Sequence, residues 1–546
     1  MTSIKRHTML RAAIVLAQAW LLCVPDAGAD TIPAASPSYD DVSAAVASAA
    51  PGDTVTVPAG SATWTSQLTV TRGITLMGAG ADRTTITADV GGEAYAVAYE
   101  PDDPSLDEAF RLTGFGFDLG FSSNGLLLSN ADVLHPLTKI RIDHNSFTSC
   151  MAGFWVIDGA VYGVADSNTF NGQVHMDNLG EQDDSWNNLT FTCGTAQNFY
   201  YEDNTFDTDY TIATGGHGGR YAYRYNTFNL TDDLYPMFDS HGNQTSGVYA
   251  TMGIEIYGNL INAGEFTADL CDRRGGKALI FYNWYVGTGT AFGQSREEFS
   301  DAISPPAESP IDGTPQHISD SYYWNNRENA ELVTWPLTQN CCATTADELS
   351  MDCPAAACSP EEGIQENREW WNHREPFDGT VGMGCGTLAS RPATCTPGTG
   401  YWATDQSCSD LSGLVGASPA TPISGTLFKC TAADTWTEAC TPFAYPHPLR
   451  LRPCSELGGA CCSAGQTCEG GAFDSGSDCA SLCCVGGTCE GTPDPAEPDG
   501  AETVEEAAED GGPDVAPDAD APPDVDGGDG GEEGGGEEGC GCAVAR

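Results

Sequence analysis

An asparagine recurs at the end of six short apolar segments between residues 139 and 285. In all six segments a large apolar residue follows the asparagine by two positions. The asparagines are Asn145, Asn168, Asn204, Asn226, Asn259 and Asn283, and the steps between them are 23, 36, 22, 33 and 24 residues. One repeated structural unit, lengthened by loops in two of its copies, explains these steps.

The repeat predicts coils of short strands stacked about 4.8 Å apart, so that equivalent residues form columns. Asparagine tolerates the left-handed backbone of a tight turn, and its side chain can bond the backbone of the next coil. The residues five and three positions before each asparagine, and those two positions after it, are mostly apolar and are predicted to face inward. The three columns are Ile140, Gly163, Phe199, Tyr221, Ile254 and Ala278; Ile142, Ala165, Tyr201, Tyr223, Ile256 and Ile280; and Phe147, Phe170, Phe206, Phe228, Ile261 and Tyr285.

The predicted fold class is all-β: a single-stranded right-handed parallel β-helix with an N-terminal helical cap, followed by a disulfide-rich minidomain and a disordered acidic tail. A β-sandwich in which Asn-Thr-Phe recurs by chance is the alternative. The cap is predicted at the start of the segment 39–60, where Asp40 or Asp41 can cap a short helix. Val42, Ala45 and Val46 form one apolar face of that helix.

Three regions make up the first part of the chain. Residues 1–29 have a basic start, an apolar core and a small-residue cleavage site, which together predict a signal peptide. The β-helix is predicted over 30–335. Residues 336–450, where the repeat fades and cysteines become frequent, are predicted to form loops and the C-terminal cap of the β-helix.

Two further regions follow. Residues 451–490 are predicted to be the minidomain, because eight cysteines within 454–489 indicate four disulfides. Residues 491–546 are predicted to be a disordered tail. Its stretch 491–539 contains 18 acidic residues and no Lys or Arg, so it cannot bury enough apolar surface to fold.

Charge and cysteine content restrict the partners and the compartment. A formal net charge of −55 disfavours nucleic acid and anionic membrane surfaces. No stretch after the signal is long and apolar enough for a transmembrane segment. Of the 23 cysteines, 22 follow the apolar core of the signal, which indicates an oxidising compartment. We therefore expect a secreted, extracellular monomer.

Two resemblances extend this interpretation. Over residues 38–335 the chain resembles the pectate-lyase-like superfamily of right-handed parallel β-helix proteins, which implies the architecture without selecting one enzyme family. The ending GCGCAVAR at 539–546 resembles the cysteine signature of myxobacterial surface-sorted proteins. That resemblance implies attachment to the cell surface through the tail, although the hydrophobic helix and basic end expected after the signature are missing.

A shallow basic slot is predicted across three successive coils. The segments HGGRYAYRYN (217–226) and RGGKALIFYN (274–283) align without gaps on their asparagines. The alignment matches His217 with Arg274 and Arg220 with Lys277, and the coil between them has only small residues, Ala250 and Gly253, in those columns. Asp239, His241 and Arg273 lie beside the slot in the sequence alignment. The alternative is a purely structural role, in which the glycines form backbone turns of the coil and His217 and Arg274 cap these turns.

Such a slot suits an acidic sugar. A lyase acting on uronic acids must neutralise the carboxylate, remove the adjacent proton and protonate the leaving oxygen. The catalytic candidates are His217, His241, Lys277 and Tyr249, with a histidine as base and the tyrosine as acid. The substrate-binding candidates are Arg220, Arg273, Arg274 and Asp239.

A second candidate is a column of carboxylates on the outward side of the strands, Asp143, Asp166 and Glu202. Stacked carboxylates about 5 Å apart repel each other, which predicts a metal, with calcium as the expected ion. The alternative is a solvated or structural face, in which a neighbouring cation such as Arg224 balances the charge.

The leading functional hypothesis is a polysaccharide lyase that cleaves an acidic, uronate-containing polysaccharide by β-elimination. The alternative is a non-catalytic cell-surface glycan-binding or adhesin-type protein. A glycoside hydrolase is a weaker hypothesis: GHG at 216–218 and QDD at 182–184 resemble motifs of polygalacturonases, but the remaining motifs of those enzymes are missing.

Overall fold

The computed structural model describes residues 29–450, except 93, 121–122, 235, 243–248, 290, 298–315, 317, 336 and 341–364, and parts of 459–490. The chain divides into two compact units, residues 1–451 and 452–546. The predicted signal sequence, apart from its last residue, and the predicted acidic tail with its cysteine signature lie outside the described residues.

The first unit is a parallel β-helix, which confirms the predicted fold class. One sheet, here called sheet A, has 12 strands, and every pair of neighbours in it is parallel. Its strands are Thr31–Pro33, Thr54–Thr56, Thr75–Met77, Phe110–Thr113, Leu137–Asp143, Val161–Asp166, Phe199–Glu202, Arg220–Arg224, Gly253–Tyr257, Lys277–Phe281, Ser321–Trp324 and Trp370–Asn372.

A second sheet of 19 strands forms the other sides of the coils and divides into two rows. Row 1 follows the asparagine turn: Gly60–Trp64, Thr84–Ala88, Gly116–Asp118, Thr205–Thr208, Thr227–Leu230, Leu260–Gly264, Trp284–Gly287 and Arg327–Glu328, which pairs antiparallel with Glu331–Leu332. Row 2 comes next in each coil: Leu68–Val70, Tyr95–Tyr99, Asn124–Asn130, Ala213–Gly216, Phe238–Ser240, Ala268–Arg273, Ala291–Glu297 and Leu337–Asn340. The long strands Ser146–Gly159 and Thr169–Leu179 run through both rows.

The asparagine ladder joins the coils and continues to a seventh member, Asn326. Asn204 is typical. Its Oδ1 accepts hydrogen bonds from the backbone N–H of Asn168 at 2.9 Å and from the Nδ2 of Asn168 at 3.1 Å. Its Nδ2 donates to the carbonyl of Ala165 at 2.9 Å and to the Oδ1 of Asn226 at 3.0 Å. The buried amides therefore bond backbone and side chain of adjacent coils at once.

The left-handed residue of each turn is the one before the asparagine, which corrects the expectation that the asparagine itself takes this conformation. These residues are His144, Ser167, Asp203, Tyr225, Gly258, Tyr282 and Asn325, with φ between 53° and 67°. The reason is geometric: the ladder amide must point into the protein to reach its neighbours, so the preceding residue reverses the chain. That position tolerates many side chains, which explains why the sequence shows no glycine pattern there.

The three predicted inward columns are confirmed by the strand register. Ile140, Gly163 and Phe199 pair in successive strands of sheet A. In row 1 the aromatic rings after the asparagines stack, with centroids 4.6 Å apart between Phe170 and Phe206 and 4.8 Å apart between Phe206 and Phe228. Burial of these large side chains is the main favourable term in the stability of the coil stack.

The N-terminal cap is the helix Tyr39–Ser48, and its Val42, Ala45 and Val46 are buried as predicted. The capping residue is Ser38, whose side chain accepts from the backbone N–H of Asp41 at 3.3 Å, and not Asp40 or Asp41. The two acidic residues lie in the first turn, where they favour the positive end of the helix dipole.

Residues 373–450, here called the flap, pack against the outer face of sheet A. Their strands are Met383–Gly386, Gly400–Ala403, Thr426–Ala432 and Thr435–Cys440. The flap buries outward aromatic residues of the sheet: Trp402 lies 5.2 Å from Trp324, and Phe443 lies 5.1 Å from Tyr200, between ring centroids. The disulfides Cys385–Cys408 and Cys395–Cys430 lie within it, and Cys193–Cys440 ties it to the coils.

The remaining described elements are short. The helix Gln182–Asn188 lies between the ladder residues Asn168 and Asn204, and turns of 3₁₀ helix occur at Pro104–Leu106, Leu388–Ser390 and Pro448–Arg450. The second unit contains the strands Gly459–Cys461, Thr467–Glu469, Ala472–Asp474, Cys483–Val485 and Thr488–Glu490, with a disulfide between Cys462 and Cys489. Among the described helices, none has the length and apolar character needed to cross a membrane.

Replacement of a ladder asparagine is expected to destabilise the protein strongly. Asn204→Ala leaves the N–H of Asn168 and the carbonyl of Ala165 buried without partners, at a cost of about 3 kcal/mol or more. Asn262→Ala, at an exposed asparagine of row 1, is the matched control and is expected to cost less than about 1 kcal/mol. Urea unfolding measures both effects. Equal losses of unfolding free energy in the two variants would contradict the claim that the buried ladder stabilises the stack of coils.

Glu255 makes stability depend on pH. It is fully buried on the outer side of sheet A, and its Oε1 accepts from the N–H of Gly194 at 2.9 Å and from Asn198 at 2.8 Å. Burial raises the pKa of Glu255 from 4.5 to about 7 against these hydrogen bonds and Arg224. The folded state therefore binds the proton more tightly than the unfolded chain, and stability falls as the pH rises from 4.5 to about 7.

The variant Glu255→Gln cannot ionise. The difference in unfolding free energy between this variant and the parent is expected to shift in favour of the variant by on the order of 1 kcal/mol or more from pH 5 to pH 8. Urea unfolding at both pH values measures that difference. Glu331→Gln, at an exposed position, is the control and should show no such gain. A difference between Glu255→Gln and the parent that stays constant with pH would refute a protonated Glu255.

Candidate functional site

The predicted basic slot is filled by side chains of an inserted loop. Strand register does bring Arg220, Gly253 and Lys277 into one column of sheet A. The ring of Phe191 occupies the space above Gly253, since a Cβ added there would lie 2.2 Å from it. Trp186 donates a hydrogen bond to the carbonyl of Ala250 at 3.1 Å. The small residues of the middle coil therefore accommodate aromatic rings and do not leave room for a sugar.

The cations predicted for the slot do not line one groove, which corrects that expectation. Arg220 is only 6% exposed and donates to the carbonyl of Thr190 at 2.7 Å and to Tyr162. Arg273 is fully buried inside the coils. Lys277 is partly exposed, and its Nζ lies 3.9 Å from a carboxylate oxygen of Asp320, which also pairs with Lys429 of the flap.

Arg274, Asp239 and His241 do form one group, on the outside of row 2. Arg274 donates to Asp239 at 2.8 and 2.5 Å, and its Nη2 lies 2.7 Å from His241 Nε2. Burial alone would raise the pKa of Asp239, but His241 and Arg274 hold that pKa at about 2. The side chain of Arg274 is only 4% exposed, so its charge is used within the protein. Tyr249 is half-buried, and its carbonyl accepts from the N–H of His217 at 2.7 Å.

The predicted metal ligands are stacked as expected, but each has arginine partners. Asp143 accepts two hydrogen bonds of 2.7 Å from Arg111, and Asp166 accepts two from Arg141 at 2.9 and 3.1 Å. Glu202 accepts from Arg224 at 2.7 Å and from Arg450 of the flap at 2.8 Å.

The three carboxylates are fully buried, and the guanidinium groups occupy the positions that a cation would need. Among the described residues, no group of three or more His, Cys, Asp or Glu side chains is arranged to hold a metal ion. The donor set of this column therefore does not fit calcium, and no step below depends on a metal.

Sequence reasoning missed a cluster on the outer face of row 2. Asp158 and Asp177 lie on neighbouring strands, since Asp177 pairs with Val156, and Asp158 pairs with Leu179. Thr214 of the next coil pairs with Asp177, and Asp239 of the following coil pairs with Thr214. All four side chains are only partly buried. Unlike the outer face of sheet A, this surface is not covered by the flap.

Asp158 and His217 influence each other within this cluster. Burial raises the pKa of Asp158, and the adjacent His217 opposes that rise. Burial lowers the pKa of His217, and the charges of Asp158 and Asp177 oppose that fall. The pKa of Glu181 is raised by burial and by the charges of Asp158 and Asp184. A carboxyl that holds its proton more tightly than usual therefore lies beside an imidazole that stays neutral, an arrangement typical of acid–base sites.

An aromatic strip borders the cluster. Phe154, His175 and Tyr210 belong to three successive coils, and their rings meet edge to face with centroids 5.4 and 5.7 Å apart. Both ring nitrogens of His175 have partners: Nδ1 lies 2.6 Å from the carbonyl of Thr211, and Nε2 lies 2.8 Å from Thr214 Oγ1. The hydrogen bonds fix the ring orientation, and Tyr210 remains 37% exposed.

Asp158→Asn is expected to lower the pKa of His217 further, by up to about one unit, because it removes a neighbouring negative charge. The pKa is measured by NMR titration of protein labelled on histidine. Asp184→Asn, on the exposed side of the helix Gln182–Asn188, is the control and should leave it unchanged. If the pKa of His217 were the same in Asp158→Asn as in the parent, the two groups would not interact.

Comparisons with known proteins add no functional assignment to this geometry. No family model matches the chain, and no curated protein or solved structure matches it. The resemblances to pectate-lyase-like proteins and to the myxobacterial surface signature therefore stay predictions beyond the parallel β-helix itself. We therefore infer the function from the partly exposed side chains on the outer face of row 2, which the described flap leaves open.

Proposed function

We propose that this protein is secreted and cleaves glycosidic bonds of an extracellular polysaccharide on the outer face of row 2. The observation that carries the proposal is the cluster of Asp158, Asp177 and His217 on row 2, which is partly exposed among the described residues and in which burial raises the pKa of Asp158 and lowers that of His217. Glycoside hydrolysis uses two carboxyl groups, one of which must keep its proton near neutral pH. Burial raises the pKa of Asp158, which is the direction that this role requires.

The proposed step is an inverting hydrolysis. Asp158 gives its proton to the leaving glycosidic oxygen as the bond from that oxygen to the anomeric carbon breaks. Asp177 takes a proton from the water that attacks the same carbon from the opposite side. Neighbouring strands and a two-residue offset along them separate the two backbones by about 8 Å. Inverting pairs of carboxyl groups lie about 6.5–9.5 Å apart, to leave room for the water, and side chains that project from one face of these two strands can reach such a separation.

The aromatic strip supports carbohydrate as the ligand. The exposed edge of Tyr210, next to Phe154 and His175, offers an apolar surface on which the faces of sugar rings can pack. The strip crosses successive coils, so a long chain can lie across several of them. Acidic side chains beside the strip provide acceptors for sugar hydroxyls.

The charge of this face favours a neutral polysaccharide over the acidic one expected from the sequence. Asp158, Asp177, Glu181 and Asp239 lie on it, whereas the nearby cation Arg274 is already bonded to Asp239. β-Elimination needs an available cation to neutralise the uronate. Elimination on an acidic polymer is kept as an outcome of the experiment below.

Secretion forms part of the proposal. Its support is the set of disulfides that join Cys193 to Cys440, Cys385 to Cys408, Cys395 to Cys430 and Cys462 to Cys489, because such bonds persist in oxidising compartments. The sequence of the first 29 residues adds a signal peptide, and the acidic tail adds a spacer suited to retention at a cell surface.

A non-catalytic glycan-binding protein is the second candidate. The observation in its favour is that both ring nitrogens of His175 have partners, Nδ1 at the carbonyl of Thr211 and Nε2 at Thr214 and Asp177, which holds the ring within the aromatic strip. Such a strip would bind sugar rings without any chemistry.

The experiment incubates the purified protein with neutral polymers (xylan, β-glucan, chitin) and acidic ones (pectate, alginate, glycosaminoglycans), with and without calcium. Hydrolysis predicts new reducing ends without the ultraviolet absorbance of unsaturated uronate ends. Asp158→Asn is expected to lower the rate by about 10²–10⁴-fold, the usual effect of removing a general acid. Lys277→Met, in the column first predicted to be catalytic, should retain the parental rate.

Each other outcome is decisive. Unsaturated ends would establish elimination and refute hydrolysis. Binding without new ends, measured by sedimentation with insoluble polymer, would establish the non-catalytic candidate. Neither binding nor cleavage of any polymer would overturn the proposed function.

A further inference from the structure

Residues 180–198, here called the cover segment, lie over part of the outer face of sheet A. The ring of Phe191 lies against Gly253, and the carbonyl of Thr190 accepts a hydrogen bond from Arg220 at 2.7 Å. An arginine side chain keeps its charge at every pH that proteins normally meet. These two contacts therefore hold the cover segment without responding to pH.

A third contact, with Glu255, involves a group that titrates. The N–H of Gly194 and the Nδ2 of Asn198 both donate to Glu255 Oε1, at 2.9 and 2.8 Å. The other carboxyl oxygen, Oε2, is buried and has no hydrogen-bond partner among the described residues, and the same holds for Asn198 Oδ1. The two unsatisfied oxygens thus belong to two planar groups that already share a hydrogen bond.

One proton satisfies both of these oxygens. A protonated carboxyl group donates through its O–H, and an amide oxygen accepts. With the proton on Oε2, Glu255 and Asn198 form a cyclic acid–amide pair in which each group donates once and accepts once. Without the proton, a buried carboxylate oxygen and a buried amide oxygen both lack a donor, which destabilises the contact.

The cations near Glu255 do not replace this proton. Arg224, on the neighbouring strand, favours the ionised form, but it bonds Glu202 at 2.7 Å and two carbonyls of the flap. On the next strand the residue paired with Glu255 is the apolar Leu279, and Lys277 is paired two positions away. Burial outweighs the hydrogen bonds and Arg224, and it raises the pKa of Glu255 to about 7.

The other titratable groups on this side stay neutral. Tyr200 and Tyr257 face Glu255 from sheet A, and burial raises the pKa of both hydroxyls. His447 of the flap lies 5.4 Å from the ring of Tyr200, between ring centroids, and burial lowers its pKa to about 3. Residues 185–198 contain no acidic or basic side chain. The ionisation that changes this contact near neutral pH is therefore that of Glu255.

We propose that the cover segment is a lid, held closed on sheet A by a proton that Glu255 and Asn198 share and released when that proton is lost. Release uncovers the outer side of Gly253, while the disulfide Cys193–Cys440 keeps the segment tied to the flap. The closed state binds the proton more tightly than the open state, in which water solvates the carboxylate. The closed fraction therefore falls as the pH rises from 4.5 to about 7. The lid does not depend on the proposed hydrolysis on row 2.

Hydrogen exchange followed by mass spectrometry measures the release. Exchange of the full chain is compared at pH 5 and pH 8, with labelling times matched to the intrinsic exchange rates. The protection of residues 189–198 is expected to fall by about tenfold or more, because each pH unit between the two pKa values changes the ratio of closed to open state by up to about tenfold. The strand Thr227–Leu230 is the internal control and should keep its protection. Equal losses in both segments, or no loss in residues 189–198, would overturn the proposal.

Three variants test the shared proton. Glu255→Gln has an amide donor in place of the acid O–H, so residues 189–198 should stay protected at both pH values. Asn198→Ala removes the partner and should leave them weakly protected at both. Asn188→Ala, at an exposed asparagine of the same segment, is the matched control and should respond to pH as the parent does. A parental pH response in Glu255→Gln, or parental protection in Asn198→Ala, would contradict the shared proton.

Discussion

The bonds of the ladder amides are the constraint on which the rest of this structure depends. Each asparagine uses one side chain to bond the backbone and side chain of its neighbours, as Asn204 does with Asn168 and Asn226. Because the amides are buried, every coil must place its asparagine at the same position of the turn, directly above the asparagine of the coil before it. Otherwise buried polar groups are left without partners. Loops of different lengths are tolerated between the asparagines, so the stack stays regular although the steps range from 22 to 43 residues.

Insertions on this regular frame decide which faces remain open. The insertion between Asn168 and Asn204 supplies Trp186 and Phe191, which cover the column of Gly253. The flap covers the outer face of sheet A, where arginines pair the stacked carboxylates and Arg450 bonds Glu202. On the outer face of row 2, Asp158, Asp177 and His217 stay partly exposed among the described residues. Function is therefore inferred there, because the covered faces have their charges internally matched.

The stacked coils could be predicted from the sequence because the recurring asparagines, and the apolar residues at fixed positions beside them, reveal the repeat. Ile142 and Ala165 pair as expected since counting from the ladder fixes register in sheet A. The same counting could not reveal what covers a strand: Phe191 lies outside the repeat, and Arg450 is 248 residues from its partner Glu202. Row 2 was missed because loops of unequal length separate it from the asparagines. One sequence signal could have located it: Asp177 stands between Met176 and Asn178, which face inward, so strand alternation places the Asp177 side chain on the outer face.

The central claim is that the carbohydrate binds on the outer face of row 2. A crystal structure of Asp158→Asn with an oligosaccharide from the best-bound polymer tests it most directly. The account predicts sugar rings packed against Tyr210 and Phe154, with a glycosidic oxygen beside residue 158. Sugar bound instead on sheet A or the flap, with row 2 bare, would contradict it.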